Sequence, residues 1–392
     1  MGNPVIVSAV RSAIAKQGGA LASIPYYKYG AEVLKEAIRR IDLEPQEIDD
    51  VILGNCLSGG GNAARRTLLE AEFPVAVPGL TIDRQCGSSI NSVALAADLV
   101  RAGRGTIFLA GGVESMSRSP YLLMPAERPY DRKPPSFVNR SLSSDEIGDP
   151  PMGITAENLA EKFKITREEQ DDYAAESQRR MGHAIENGYF DEQIVPLEVT
   201  SGKETWSFSR DEHPRPGTTK EQLGKLRPVF KHNGSVTAGN SSGVNDGASG
   251  LIVMSETEAG KRGLEVMAHV VDSQVAGVDP NIMGIGPVPA VKALLERNHL
   301  TIDDIDFVEL NEAFAVQVLA CNLELNIPRE KLNVNGGAIA HGHPIAATGG
   351  MLVTKAVYEM KRTGAKRAIV SACIGGGQGI ALLLEKDNGV GK

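Results

Sequence analysis

Four short stretches bring reactive side chains next to small residues. In "TIDRQCGSSI" (Thr81–Ile90), Cys86 precedes an apolar run, Ile90, Val93, Ala94, Ala97 and Val100, spaced as one face of a helix. A thiol at a helix start meets unpaired backbone N–H groups and the positive end of the helix dipole. Both favour thiolate, the nucleophilic form. The plain alternative is a packed structural cysteine. In "NVNGGAIAHGHPIAATGG", glycines flank His341 and His343, and Pro344 fixes the chain behind the second imidazole. Either histidine has the pKa range of a general base. The pair lacks a nearby carboxylate or cysteine, so no metal site is expected. In "SACIGGGQGI", Cys373 ends a strand-like run before Gly375, Gly376 and Gly377. Bare N–H groups there can form an oxyanion hole. The spacing of a phosphate-binding loop is absent. In "VELNEAFAVQ", Asn311 closes another strand-like run and can hold a water or a carbonyl oxygen, or simply cap a helix. Cys56 and Cys321 lack such settings and read as packing residues. His183, His213, His232, His269 and His299 read as surface or linker residues.

These stretches must be positioned by an α/β framework. "PVIVSAV", "DDVILGN" and "TIFLAGG" read as strands, with helical patterns between them. From about residue 267 the order returns: "AHVVDSQVAG", "PVPAVKALLERNHL", "IDFVEL", "GGMLVTKAVYEMKR" and "RAIVSACIGGG". The alternation predicts a mainly parallel sheet covered on both faces. One constant offset lays Leu43, Ile48, Asp49 and Val51 on Leu300, Ile305, Asp306 and Val308. Carried forward, it sets Cys86 opposite His343 and Gly54 opposite Asn311. After a short insertion, Ile107 and Ala110 align with Ile369 and Ala372. We read a duplicated unit about a pseudo-two-fold axis. Residues 1–117 with 246–266 form the first half, and 267–392 the second. Residues 118–245 break the rhythm and read as an inserted loop domain. It opens Pro-rich, carries the single Trp206, and shows a capping box at Thr166 and Glu169.

The bulk numbers exclude several classes. The chain has 392 residues, enough for two or three domains. A net charge of −8 argues against nucleic-acid or anionic-membrane partners. Four cysteines without a CxxC pair are no disulfide framework and suggest a reducing compartment. "MGNPVIVSAV" has no signal-peptide layout, and the terminal "NGVGK" matches no retention or peroxisomal address. A cytoplasmic location is therefore expected. No apolar run reaches the length of a membrane span.

Together, "DRQCGSSINSVALA", "GGVESMS", "VTAGNSSGVNDGA", "NEAFA", "NVNGGAIAHGHP" and "CIGGGQG" resemble the thiolase family, in order and over the whole chain. The resemblance implies duplicated βαβαβαββ halves in a five-layered α-β-α-β-α arrangement, with a loop domain inserted in the first half. It implies thiolysis and its reverse, Claisen condensation, by an acetyl-CoA acetyltransferase or 3-ketoacyl-CoA thiolase. Cys86 then resembles the acylated nucleophile, His343 the base, and Cys373 the second proton carrier. Asn311 resembles the holder of a water in one oxyanion hole, shared with His343. The N–H groups of Cys86 and Gly375 would make the other. Ser242 and Ala238 match pantetheine contacts, and Arg215 the nucleotide end. Met152 and Phe314 would line the acyl pocket. No tightly bound cofactor is implied: coenzyme A and acyl-CoA are substrates, and a homodimer or homotetramer is expected. Pro151 stands where short-chain thiolases have a histidine, which leaves room for a longer acyl chain. His341 departs from the usual residue and receives no role. A ketoacyl-synthase-like condensing enzyme or a silent CoA-binding relative are the alternatives; a dehydrogenase lacks its dinucleotide fingerprint.

Overall fold

The computed structural model describes residues 2–126, 128, 130 and 134–386. Part of the Pro-rich stretch (Glu127, Pro129 and 131–133) and the terminal "NGVGK" lie outside them.

The first half runs β1 (Pro4–Ser12), α1 (Tyr26–Arg39), β2 (Asp50–Gly54), α2 (Ala63–Glu70), β3 (Gly79–Ile82), α3 (Ser88–Arg101) and β4 (Ile107–Ser115). After an insert that carries α4 (Met152–Phe163) and α5 (Arg167–Glu186), β5 (Asn245–Ser255) completes it. The second half runs β6 (Ala268–Gly277), α6 (Pro287–Arg297), β7 (Phe307–Leu310), α7 (Ala315–Leu325), α8 (Ile345–Thr363), β8 (Arg367–Ile374) and β9 (Gln378–Glu385). The offset of 257 residues between Cys86 and His343 also carries the start of β2 onto that of β7 and the start of α3 onto that of α8. One detail repeats atom for atom. Asp49 Oδ2 accepts the N–H groups of Thr106 and Ile107, and Asp306 Oδ2 those of Lys366 and Arg367. The third strand of the second half is reduced to a bridge between Val308 and Leu332.

The strands follow the order β7-β8-β9-β6-β1-β5-β4-β2-β3. The halves join through β1 and β6, which pair only at Val5–His269 and Ile6–Ala268. The sheet is mixed rather than mainly parallel. In the first half β5 inserts antiparallel between β1 and β4, as β9 does between β6 and β8. Sequence periodicity marks a strand but not its neighbours. The register also corrects the alignment of the later strands. Val51 pairs with Leu109 and Val308 with Ile369, so Leu109, not Ile107, is the counterpart of Ile369. A two-residue slip keeps every side chain on the same face, and the apolar pattern cannot detect it.

Five layers result. The apolar stripe of α1 (Ala31, Leu34, Ala37, Ile38) covers the outer face of the first half-sheet. Residues Val288, Val291 and Leu294 of α6 and Val318 of α7 cover that of the second. Between the half-sheets lie α3 and α8. Ile90 and Val93 meet Leu352, Val353 and Ala356 there, against Phe108 and Leu251 on one side and Val370 and Leu382 on the other. All nine residues of β1 and of β4 are buried, as strands covered on both faces must be. The insert adds an exposed hairpin, Leu122–Met124 against Ser136–Val138. The capping box at Thr166 starts α5 as expected. Among the described residues, no helix is long and apolar enough to cross a membrane.

Candidate active site

Cys86 sits in the tight turn Gln85–Gly87 that feeds α3. Gln85 holds a left-handed φ of 46°, a conformation that non-glycine residues rarely adopt without support. The Asp83 carboxylate takes both its backbone and side-chain N–H groups. A Cβ on Gly87 would stand 2.7 Å from Ile374 Cδ1 of β8, so any larger residue would require the Ile374 side chain to shift.

From the second half, His343 Nε2 lies 3.2 Å from Cys86 Sγ. The imidazole is fixed at three points. Its Nδ1 meets Thr348 Oγ1 at 2.7 Å, and its backbone N–H donates to Asn245 Oδ1 at 2.9 Å. Asn311 Nδ2 stands 3.4 Å from Nε2. When Nδ1 donates to Thr348, Nε2 is left as the acceptor facing the thiol. Gly342 has a φ of 99°, and a Cβ on it would strike the Asn245 side chain at 2.5 Å. Asn311 is fully buried, and its Oδ1 has no hydrogen-bond partner. Such an oxygen is an acceptor held ready for a water or a ligand.

Cys373 ends β8 opposite Gly379 and is fully buried against Ala156, Leu159 and Phe314. Burial pushes the Cys373 thiol well up, and Cys86 lies within electrostatic reach of it. The backbone N–H groups of Gly375 and of Cys86 itself favour the thiolate form of Cys86. Burial nevertheless wins. It pushes the Cys86 thiol up to about 11, against the pull of those two donors and with the carboxylates Glu114 and Asp83 adding to the rise. Burial also lowers His343 to about 4. The resting pair is a neutral thiol on a neutral imidazole. Desolvation therefore opposes the thiolate that a helix start favours. Cys56 and Cys321 are buried, and burial raises both thiols.

The residues expected around the substrate fall into two groups. Ala238, Ser242 and Arg215 line one groove of about 620 Å³, together with His213, Thr218 and Phe230. Its wall is joined by backbone contacts to the loops beside the reactive side chains: Val244 bridges to His343, and Ser242 N–H donates to Ala313 C=O. Met152 and Phe314 belong to the apolar cluster that holds Cys373. Met152 Sδ lies 3.6 Å, and Leu142 Cδ1 2.9 Å, from where a Cβ on Gly375 would stand. Phe314 meets Phe230 edge to face at 6.2 Å.

Several contributors escaped the sequence reading. His213 was assigned to the surface but is largely buried on the groove wall. Its Nδ1 lacks a partner, and burial and the Arg215 charge lower it to about 4. Thr348 and Asn245, which hold His343, drew no attention. Glu312, beside Asn311, accepts from Tyr173, Ser177, Asn333 and the Ile339 N–H. It ties α5 of the insert to the loop before His343. The only local signal was its place in "NEAFA". His341 is also buried. Its Nδ1 lies 2.8 Å from Gly342 O, and its Nε2 has no hydrogen-bond partner. Among the described residues, no cluster of three metal-ligating side chains occurs.

Residues 4–257 match the model of the thiolase N-terminal domain, and residues 264–386 that of the thiolase C-terminal domain. The chain belongs to the thiolase family. It is an acyltransferase. An acetyl-CoA acetyltransferase of Allochromatium vinosum is 45% identical over 391 residues, covering 98% of this chain and 99% of that one. The crystal structure of the Bacillus anthracis acetyl-CoA acetyltransferase superposes with a TM-score of 0.94 at 45% identity, covering 98% and 99% of the two chains. Human mitochondrial 3-ketoacyl-CoA thiolase in complex with CoA superposes with a TM-score of 0.92 at 40% identity, covering 98% of each.

Proposed function

We propose that this thiolase cleaves 3-ketoacyl-CoA with CoA, and condenses two acyl-CoA molecules in reverse, through an acyl group carried on Cys86. The observation that carries this reading is the 3.2 Å approach of His343 Nε2 to Cys86 Sγ.

In thiolysis, His343 takes the Cys86 proton as the sulfur attacks the 3-keto carbon. The Cys86 and Gly375 N–H groups receive the developing oxyanion. The carbon–carbon bond then breaks, and its electron pair passes to the departing acetyl-CoA enolate. The His343 imidazolium and a water on Asn311 stabilise the enolate oxygen, and the Cys373 thiol protonates the carbon. An incoming CoA thiol gives its proton to the Cys373 thiolate and takes the acyl group from Cys86, and the His343 imidazolium returns its proton to the departing Cys86 sulfur, releasing acyl-CoA and restoring the thiol. Each well-placed oxyanion donor contributes about 3 kcal/mol to such steps. Two alternating half-reactions imply ping-pong kinetics.

The groove of Ala238, Ser242 and Arg215 is the path for CoA, with Arg215 toward its phosphates. Met152, Phe314 and Leu142 bound the acyl end. The exposed hairpin with Tyr121, Leu123, Met124 and Phe137, and the open edge of β3 with exposed Leu80, suit a homodimer or homotetramer. We place the enzyme in the cytoplasm, in fatty-acid metabolism. In Cys86→Ala, incubation with acetyl-CoA should leave no acylated protein by mass spectrometry, and thiolysis should be lost. A stable acyl adduct on that variant would refute the assignment.

A further inference from the structure

The N–H of Cys86 belongs to the peptide that joins it to Gln85. Its direction is therefore set by whatever holds the Gln85 carbonyl, since N–H and C=O point opposite ways across a trans peptide, and no cis peptide occurs among the described residues. That carbonyl is held by three donors. Ser88 N–H closes the turn onto it. The Ser88 hydroxyl donates to it at 2.7 Å, and the Cys56 thiol reaches it at 3.6 Å. Ser88 Oγ in turn accepts the Arg84 N–H at 2.9 Å and lies 3.3 Å from Cys56 Sγ. Ser88 is fully buried and Cys56 nearly so. The same peptide follows the left-handed Gln85. Without that support the peptide is free to rotate, and the Cys86 N–H would turn with it.

We propose that Ser88, assisted by Cys56, is the positioning residue that aims the Cys86 N–H into the oxyanion hole opposite Gly375. Neither side chain reaches the sulfur of Cys86 in this arrangement. Both act from behind, through the Gln85 carbonyl. This deepens the proposed function and rests on Cys86 being the acylated residue.

The test begins with [1-13C]acetyl-CoA and the unaltered enzyme. Mass spectrometry locates the label, and the infrared spectrum gives the carbonyl band of the acyl-enzyme. Hydrogen bonds in the hole lower that band. In Ser88→Ala, Cys86 should still acylate, kcat should fall roughly 10–100-fold, short of the loss seen when a donor is deleted outright, and KM for acetyl-CoA should stay within about threefold. The decisive readout is the carbonyl band, which should move to higher wavenumber. Ser88→Thr, which keeps the hydroxyl, should restore both. Cys56→Ala should give a smaller shift of the same sign, and it serves if Ser88→Ala does not fold. A fall in kcat with an unmoved band would make Ser88 merely structural and overturn the proposal, as would an unchanged kcat. Label absent from Cys86 in the unaltered enzyme would overturn the site assignment itself.

Discussion

Thr348→Val tests whether the proposed base depends on its support. Thr348 is fully buried, and its hydroxyl is the partner of His343 Nδ1 at 2.7 Å. Valine has nearly the same shape, so little packing changes, but Nδ1–H would be left buried and unpaired. Such a loss costs about 1–3 kcal/mol. At about 1.4 kcal/mol per factor of ten, the productive ring state becomes about 5–150-fold scarcer. The competing tautomer carries its proton on Nε2, where it cannot accept from Cys86. Steady-state thiolysis of acetoacetyl-CoA should therefore show kcat lower by roughly 10–100-fold, with KM within about threefold, because Thr348 does not line the groove. Thr348→Ser should stay close to the unaltered enzyme. A melting curve of each variant checks that it is folded. A kcat for Thr348→Val within a factor of two would refute the reasoning.

Alkylation of Cys86 by iodoacetamide, without substrate, should keep rising beyond pH 9, since burial puts the thiol at about 11; a plateau near the ordinary value of about 8.5 would contradict the neutral resting pair. Cys373→Ser should still acylate slowly from acetyl-CoA but fail in condensation, and near-normal condensation would remove Cys373 from its role. Acid should also destabilise the fold: His213 and His343 are held to about 4, below the unfolded value of about 6.5. Between those values the unfolded chain binds protons that the folded one refuses, so stability falls with pH by up to about 1.4 kcal/mol per unit for each histidine. Denaturant titrations at pH 5 and 7.5 should show that decline lessened in His213→Gln, and an identical decline in both proteins would refute it.

The candidate site residues were legible because each announces itself locally: Cys86 and Cys373 among small residues, His343 between glycines and proline, Asn311 at a strand end. The repeat then paired Cys86 with His343, and the structure sets those two side chains in contact. Their supports were not legible. Asn245 and Glu312 act across tertiary contacts that no spacing encodes, and His213 is buried only because the insert folds back beside Gly243. Thr348, five residues after His343, was one turn of reasoning away, yet nothing in a buried threonine marks it as a partner for a ring nitrogen. The opposing effect of burial on the Cys86 thiol was not legible either. A helix start is visible in sequence, whereas the depth of burial that overrides it emerges only from packing.

Cys86 and His343 occupy the same place in two copies of one unit. An ancestor assembled from two identical chains would have set like against like across its axis, thiol facing thiol or imidazole facing imidazole, with no direction for a proton to travel. In one chain the two equivalent positions can differ, and here they do, a thiol on one side and an imidazole on the other. A corollary follows for the present enzyme. Either half made by itself carries only a donor or an acceptor of the central proton, so activity should return only on remixing the two fragments.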